Sequence, residues 1–495
     1  MSKTVYLVNA GNDDSMASIA NDYSFPPLNI LALGTWLKQE TPEVDVTCRD
    51  AGIIGTARIC AEIRSNRPWL VGVGVLATSY QSALQIAAAA KSVGAWTVFG
   101  NDQAAHMSRL IIEHRPTVDF VVGAEYGEQT LSALVRKLLD ERDDFETVPA
   151  LTWRDANGAP RGFDYASNKA DLSILSVLGG VKGKRRQTAL DIYPIVDRNL
   201  YQADHWNGYL SNYLEAFGHL HPDRQPSGVT TMNRARGCSR ANEKIKCKHC
   251  DMLLDIAFSS PARFWDEVRS AHRQVGSDVF YEVCDSLTSF GTFIDHVARS
   301  RPVDLGFDPM FFIYGQALDL VRKPEMARHL REMGVFKINI GLESGSEPTL
   351  QHMKGPKDSV AANYEALKLV RDQGIHVYGS FVLGTEMETP ETLRETVDWI
   401  KRIIDEDLIS DVEAQPILPL YNNHYGNVLF ADYVPEGDPD WPVDIDRVAR
   451  EYVTRYSGVS YDDCIKAARE IRLHAAGAQK NFGSGVSKAE NYATA

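Results

Sequence analysis

Three cysteines constrain this chain more tightly than any other feature. Cys238, Cys247 and Cys250 stand as C-x8-C-x2-C within TTMNRARGCSRANEKIKCKHCD (residues 230–251), directly after a short apolar run and the turn Arg236-Gly237. Thiolates this close on one loop can hold a soft metal ion or an iron–sulfur cluster. Three cysteines on a four-iron, four-sulfur (4Fe-4S) cube leave one iron open to a further ligand. A closed zinc site asks for four ligands. His249 offers a fourth only awkwardly, between Lys248 and Cys250 on the same tight turn. Spacing alone leaves a cluster, a zinc site and unrelated thiols all open.

The rest of the composition narrows the setting. At 495 residues the chain has room for two or three domains. Its 44% hydrophobic and 24% charged content is that of an ordinary globular protein. No apolar run approaches the roughly 18 residues of a membrane span, and MSKTVYLVNAGNDD has no signal-peptide pattern. A net charge of −14 disfavours nucleic acid and anionic membranes as partners. Seven cysteines, an odd number, make no disulfide framework and fit a reducing cytoplasm.

Residues 1–163 read as a Rossmann-like, doubly wound α/β unit. Short apolar strands (Thr4–Asn9, Val44–Asp50, Leu70–Val75, Trp96–Gly100, Phe120–Gly123) alternate with amphipathic helices, which predicts a parallel sheet covered on both faces. Ligands of such sheets bind outside the carboxyl ends of the strands. Those ends carry Thr78 and Ser79, Gly100 and Asn101, and Gly123 and Glu125, small and polar residues that let a backbone approach a large polar ligand. For any one loop, a glycine that merely makes the turn explains as much. A hairpin is expected around Asp155-Ala156-Asn157-Gly158. Residues 164–227 show no strong periodicity and read as a connector, and the basic run Lys182-Gly183-Lys184-Arg185-Arg186 reads as solvated.

Residues 228–430 repeat a strand–helix pattern. Strands are expected at Val279–Val283, Val303–Phe307, Val335–Gly341, His376–Leu383 and Asp411–Leu418, after the strand that enters the cysteine loop. Residues 431–495 form a short helical piece, with a helix near Ser460–Ala476 and a Gly/Ser-rich tail.

This order of parts resembles the radical SAM superfamily, in which a partial (β/α)6 barrel begins with a cysteine loop and S-adenosylmethionine (SAM) chelates the open iron of its cluster. The family spacing is C-x3-C-x2-C, and this chain carries five more residues within Ser239–Lys246. The resemblance implies that His249 lies near the adenine. INIGLESGSEPTLQHM (338–353) is similar to the fourth-strand segment whose glutamate contacts SAM, here Glu343. HVYGSFVLGTEMETPETL (376–393) resembles the fifth-strand segment G-x-P-G-E-T, with Glu386 and Met387 in place of the proline and glycine, and Ser380 directed to the nucleoside. FYEVCDSL (280–287) lies where relatives place acids for the methionine amine, which implicates Glu282 and Asp285. Cys284 beside them is either a buried hydrophobe, a radical partner or a ligand.

PPLNILALGTWL, VDVTCRDAG, VGVGVLATS, TVFGND and FVVGAEYGEQTL, taken in order, resemble the cobalamin-binding domain found upstream of many radical SAM enzymes. No D-x-H-x-x-G occurs, so the resemblance implies cobalamin held base-off without a protein histidine, or a domain that has become a scaffold. The implied reaction begins with reductive cleavage of SAM, fed by a donor such as flavodoxin or ferredoxin, and removal of hydrogen from an unactivated carbon of a small-molecule, natural-product type of substrate. Methyl transfer through cobalamin is the commonest outcome of this group. Rearrangement, ring formation and sulfur insertion stay open, as does a cobalamin-binding sensor with a structural metal loop.

Overall fold

Alternation along the first strand dictates a sheet buried on both sides. In the computed structural model, which describes residues 3–12, 23–123, 127–164, 183–240, 246–250, 256–421, 423–431 and 437–482, β1 (Lys3–Asn9) sends Val5 and Leu7 into one apolar core and Tyr6 and Val8 into another. Glu125, most of the Ser239–Lys246 insertion and the side chains of the basic run lie outside the described residues. β2 (Val44–Asp50), β3 (Leu70–Gly74), β4 (Trp96–Gly100) and β5 (Phe120–Val122) join β1 in parallel, in the order β2-β1-β3-β4-β5. Helices Leu28–Glu40 and Gly127–Leu139 cover the first face, and Thr56–Asn66 and Tyr80–Ser92 the second. Strand order reverses between β1 and β3, so a crevice opens at their carboxyl ends. β6 (Leu151–Arg154) and β7 (Pro160–Gly162) extend the sheet antiparallel. Asp155 closes their turn by accepting the amides of Asn157 and Ala159.

The connector is not a solvated linker over its described part. Helix Ala203–Phe217 buries Tyr209, Tyr213 and Phe217, an aromatic stripe at i, i+4 and i+8. That stripe lies in the core shared by the first sheet and the next one, which also takes in Val229, Val279 and Phe336. Arg198 is fully buried on Glu267 at 2.6 Å, and Glu267 also holds Arg234 at 2.5 Å. A buried carboxylate flanked by two guanidiniums cannot lose one partner without leaving an unpaired charge, so this segment is fastened to the base of the cysteine loop.

The second sheet starts with β8 (Val229–Met232). A two-residue pairing of β9 (Ala235–Arg236) with β10 (Ala257–Phe258) then frames the cysteine loop. β11 (Val279–Glu282), β12 (Met310–Gly315), β13 (Val335–Glu343), β14 (His376–Leu383) and β15 (Asp411–Pro416) follow, each parallel to the one before it. β16 (Asn481–Phe482) pairs with the outer edge of β15, and β8 pairs only with β11 among the described residues. Strands in chain order with helices between them have the connectivity of a βα-barrel left open. The strand expected at Val303–Phe307 is instead β12, seven residues further on. Val303 is fully exposed and Gly306 turns with φ +77°, whereas MFFIYG is the apolar run that can pair.

Phe25, from the first unit, packs against Tyr213 and Tyr281 with ring centroids 5.3 and 5.4 Å away. Thr231 of β8 donates to the Pro26 carbonyl at 2.8 Å. The two sheets are therefore docked through one continuous core. At the far end, helices Ile445–Tyr456 and Tyr461–Gly477 pack on the second sheet, the latter capped by Ser460. The first of these helices was not expected from the sequence. No described helix is long and apolar enough to cross a membrane.

Candidate functional site

The cysteine loop is shaped before its first cysteine. Glu282, at the end of β11, takes the amides of Arg234 and Ala235 on Oε1 at 2.7 and 3.0 Å. Asp285 takes the Gly237 amide at 2.8 Å, and Gly237 turns with φ +93°. The two acids thus bend the chain from β8 into the loop. Burial pushes the Glu282 carboxyl up to about 8, although the two amides pull it down. Its Oε2 has no hydrogen-bond partner among the described residues.

Cys238, Cys247 and Cys250 are half-buried and not joined in disulfides. Donors already address the sulfurs. The Arg240 amide lies 3.4 Å and the Gln316 side-chain amide 3.1 Å from Cys238 Sγ, and Arg240 Nη1 lies 3.8 Å from Cys247 Sγ. Arg240 is held in turn through Nη2, which donates to both Asp358 oxygens, and through Nη1, which donates to the Lys354 carbonyl. Burial pushes the Cys238 and Cys247 thiols up, so binding a metal there must release protons. Among the described residues no three Cys, His, Asp or Glu side chains are gathered tightly enough for a single ion.

Glu343 ends β13 at a bulge against β14 and carries φ +63°, a conformation rare for a residue with a Cβ. The carboxylate folds back over Gly341, where a Cβ would stand 2.2 Å from Glu343 Oε1. His249 Nε2 and Lys354 Nζ each lie 3.5 Å from that oxygen. Strain of this sort persists only where its surroundings enforce it, and it collects at ligand sites. Ser380 faces Gly341 across the sheet and donates to Asn339 Oδ1 at 3.3 Å. The structure thus brings the cysteine loop, His249 and Glu343 together.

A cavity of about 490 Å³ opens over the carboxyl ends of β1, β3 and β4. Asn9, Asn12, Asn29 and Asn101 supply side-chain amides to its wall, and Gly74 and Gly100 supply bare backbone. Asn12 Nδ2 is buried without a hydrogen-bond partner among the described residues. The opposite wall belongs to the second sheet, through Asn233, Arg236, Val283 and Asp285.

Several expected residues stand elsewhere. Thr78 donates to Asn12, and the buried Ser79 hydroxyl accepts the Leu76 amide at 3.1 Å, so neither lines the cavity. A Cβ on Gly123 would strike Phe163 at 2.3 Å, so this glycine serves close packing. Glu282, expected at the methionine amine, holds the Arg234 and Ala235 amides on Oε1. Cys284 is walled into the core, its thiol donating to the Gly237 carbonyl at 3.7 Å and pushed well up by burial, which returns the hydrophobic reading of that residue. Sequence reasoning missed Asn12, Asn29, Arg236, Gln316 and Lys354. Of these only Arg236 carried a signal, its place two residues before Cys238.

Residues 232–400 match the Radical SAM superfamily. The chain is 25% identical over 402 residues to an anaerobic magnesium-protoporphyrin IX monomethyl ester cyclase of Cereibacter sphaeroides, covering 76% of this chain and 56% of that protein. Among solved structures it is similar to the radical SAM methyltransferase TsrM from Kitasatospora setae, solved with cobalamin and a [4Fe-4S] cluster, with a TM-score of 0.64 at 19% identity over 87% of this chain and 78% of that one. It is also similar to the cobalamin-dependent SAM radical enzyme OxsB, solved with aqua-cobalamin and SAM, with a TM-score of 0.60 at 17% identity over 97% of this chain and 62% of that one. The chain thus spans little more than half of the cyclase and under two thirds of OxsB. Residues 232–400 thus match the Radical SAM superfamily, and the chain has the fold of solved cobalamin-dependent radical SAM enzymes.

Proposed function

We propose that the chain is a cobalamin-dependent radical SAM enzyme acting on a small molecule. In this reading Cys238, Cys247 and Cys250 hold a 4Fe-4S cluster, SAM binds at Glu343, His249, Asp285 and Ser380, and cobalamin occupies the cavity over the first sheet. The observation that carries it is the shared cavity: one wall is the ligand end of the first sheet and the other is the ligand end of the second. Two cofactors set on those two ends would face the same space.

The residues present suit each group. Thiols that accept hydrogen bonds from amide and guanidinium donors are the usual ligands of an iron–sulfur cluster, whose potential such donors tune. Asparagine amides, bare glycine backbone and the unsatisfied Asn12 Nδ2 suit a ligand rimmed with amides. When bound, the cluster and SAM supply a radical source and cobalamin a methyl carrier. The chain's own task is placement. Glu343 and His249 offer charge and a ring beside the cluster loop, and Asp285 spans loop and cavity.

Methyl transfer is the favoured outcome, supported by the fold shared with TsrM. The likeness to the cyclase supports ring formation as the second reading. Anaerobic protein reconstituted with iron, sulfide and cobalamin, then given methyl-labelled SAM, a flavodoxin or ferredoxin donor and candidate small molecules, decides between them. Methylation predicts 5′-deoxyadenosine, S-adenosylhomocysteine and label in the product. 5′-Deoxyadenosine alone supports ring formation, and no SAM cleavage rejects both. Paramagnetic resonance of the bound cob(II)alamin should show no axial nitrogen splitting. Splitting would point to His106, the one histidine on the cavity wall among the described residues.

A further inference from the structure

Away from Glu343, a second carboxylate sits against the cysteine loop. Glu386, in the turn after β14, is reached by four side chains from four different segments. His352 Nε2 lies 2.5 Å, His424 Nε2 3.1 Å and Lys248 Nζ 3.3 Å from its Oε1, and the Tyr452 hydroxyl donates to Oε2 at 2.6 Å. Lys248 is the residue directly after Cys247 and two before Cys250. Its backbone is held by the same neighbours, since its amide donates to the Met353 carbonyl at 2.9 Å and its carbonyl accepts the His424 amide at 2.9 Å. Asn423 Nδ2 adds a bond to the His249 carbonyl at 3.2 Å. The second arm of the cysteine loop is therefore pinned along its length to helices Glu347–Lys354 and His424–Leu429, and Glu386 joins those helices to Tyr452 of the C-terminal piece.

The charges explain why one carboxylate matters so much there. Lys248 Nζ stands 2.8 Å from His352 Nε2, and His424 closes on the same point. Remove the carboxylate and Lys248 is left with the His352 ring, while His424 and Tyr452 lose the acceptor they share with it. Hydrogen bonds to an ionised group are roughly twice as strong as neutral ones, and partial exposure of Lys248 and Glu386 weakens this one without abolishing it.

Resting on the cluster reading above, we infer that Glu386 is the positioning residue for the Cys247–Cys250 arm, and that the C-terminal piece belongs to the cluster site through Tyr452. Residues that orient metal ligands from behind commonly control metal affinity by about 10- to 100-fold when changed. The test uses the full chain, reconstituted, as wild type, Glu386→Ala, Glu386→Gln and Tyr452→Phe. The readouts are the rate of iron loss to a chelator, the paramagnetic resonance of the reduced cluster with and without SAM, and the thermal midpoint. Iron loss should quicken about tenfold in Glu386→Ala, less in Glu386→Gln, and least but measurably in Tyr452→Phe, which removes a single hydroxyl and keeps the fold. The resonance should broaden in the same order while the midpoint of Tyr452→Phe stays near wild type. A wild type that holds its cluster, with variants that lose it no faster, overturns this inference and leaves the enzyme reading standing. Variants that melt early yet keep cluster kinetics and resonance unchanged overturn it too, since the hub would then serve stability only. A wild type that takes up no cluster at all overturns the underlying reading.

Discussion

The two sheets offer ligands two different kinds of surface. The carboxyl ends of β1, β3 and β4 present asparagine amides and glycine backbone, with few ionisable groups close to the strands. The carboxyl ends of β8, β11, β13 and β14 are dense with charge: Asp285, Glu343 and Glu386, against Lys248, Arg240 and Lys354, with the buried Glu282 holding its proton beside them. One end is therefore built to fit shape and neutral amides, the other to fix charges at set points. A large ligand recognised over a wide rim needs room and unpaired amides. A small charged ligand beside a redox centre needs a few ion pairs held still, which explains the bulge and left-handed backbone at Glu343.

Removing the cysteines should break the second surface outright. Cys238→Ala, Cys247→Ala and Cys250→Ala should each lose the cluster and all SAM cleavage, measured as iron per chain and 5′-deoxyadenosine formed. Cobalamin uptake should survive, since the first sheet's cavity contains none of these residues. Full iron in all three variants would sink the assignment. The reverse experiment is Gly74→Val. A Cβ there meets Asn29 Nδ2 at 3.2 Å and Asn9 Oδ1 at 3.8 Å, which the fold tolerates but the cavity does not. Cobalamin should no longer be retained on gel filtration, while cluster content stays at wild-type level. Loss of both together would show that the two ends are not separable.

Glu343→Gln keeps the shape and removes the charge. Loss of one charged hydrogen bond costs about 1.5–3 kcal/mol, so SAM affinity should fall about 10- to 100-fold by calorimetry with iron content unchanged. Affinity within twofold of wild type would leave the strain at Glu343 without a ligand to explain it.

A pH titration of stability checks the charge-dense end in another way. Glu282 is held up to about 8, above the ordinary value of 4.5, with burial as the main cause. The folded protein therefore keeps a proton that the unfolded chain gives up. The stability contribution is full below about pH 4.5, where both states are protonated, and is lost as pH rises through about 8. Glu282→Gln should flatten that decline, with a difference of about a few kcal/mol across the window at one unit per 1.36 kcal/mol. Parallel curves for the two proteins would mean that Glu282 is ionised in the folded state.

Legibility in the sequence followed the same division. Charge at fixed spacing carries a signal: the cysteines, Glu343, His249 and Asp285 are singled out by their runs, and the structure sets them around one loop. Glu386 was visible as a departure from G-x-P-G-E-T, but its role depends on His352, His424 and Tyr452, which are distant in sequence. On the first sheet, strands and helices were legible from periodicity, and Gly100 and Asn101 do line the cavity. Thr78, Ser79 and Gly123 do not, because a small residue in a turn has the same sequence appearance whether it meets a ligand, caps a helix or makes room for a ring such as Phe163. Asn12 and Asn29 were missed because a single asparagine in a loop or a helix has no pattern. The helix Ala203–Phe217 was missed because its stripe is aromatic and amphipathic only at every fourth residue.

Ser79 gives the smallest expected effect and the sharpest test of that last distinction. Its hydroxyl is buried and engaged with the Leu76 amide and carbonyl at the start of the helix after β3. Substituting alanine should therefore cost about 1 kcal/mol of stability, as loss of a capping hydroxyl does. It should leave cobalamin affinity within about twofold of wild type, since 1.4 kcal/mol is needed for a tenfold change and no contact with the cavity is removed. The two quantities separate the readings. A hydroxyl that closes a turn moves the thermal midpoint and not the affinity, whereas one that meets the ligand moves the affinity by tenfold or more at little cost in stability. If Ser79→Ala releases cobalamin, the amide rim of the first sheet is wider than Asn9, Asn12, Asn29 and Asn101, and the loop after β3 must turn its hydroxyl outward when the ligand binds.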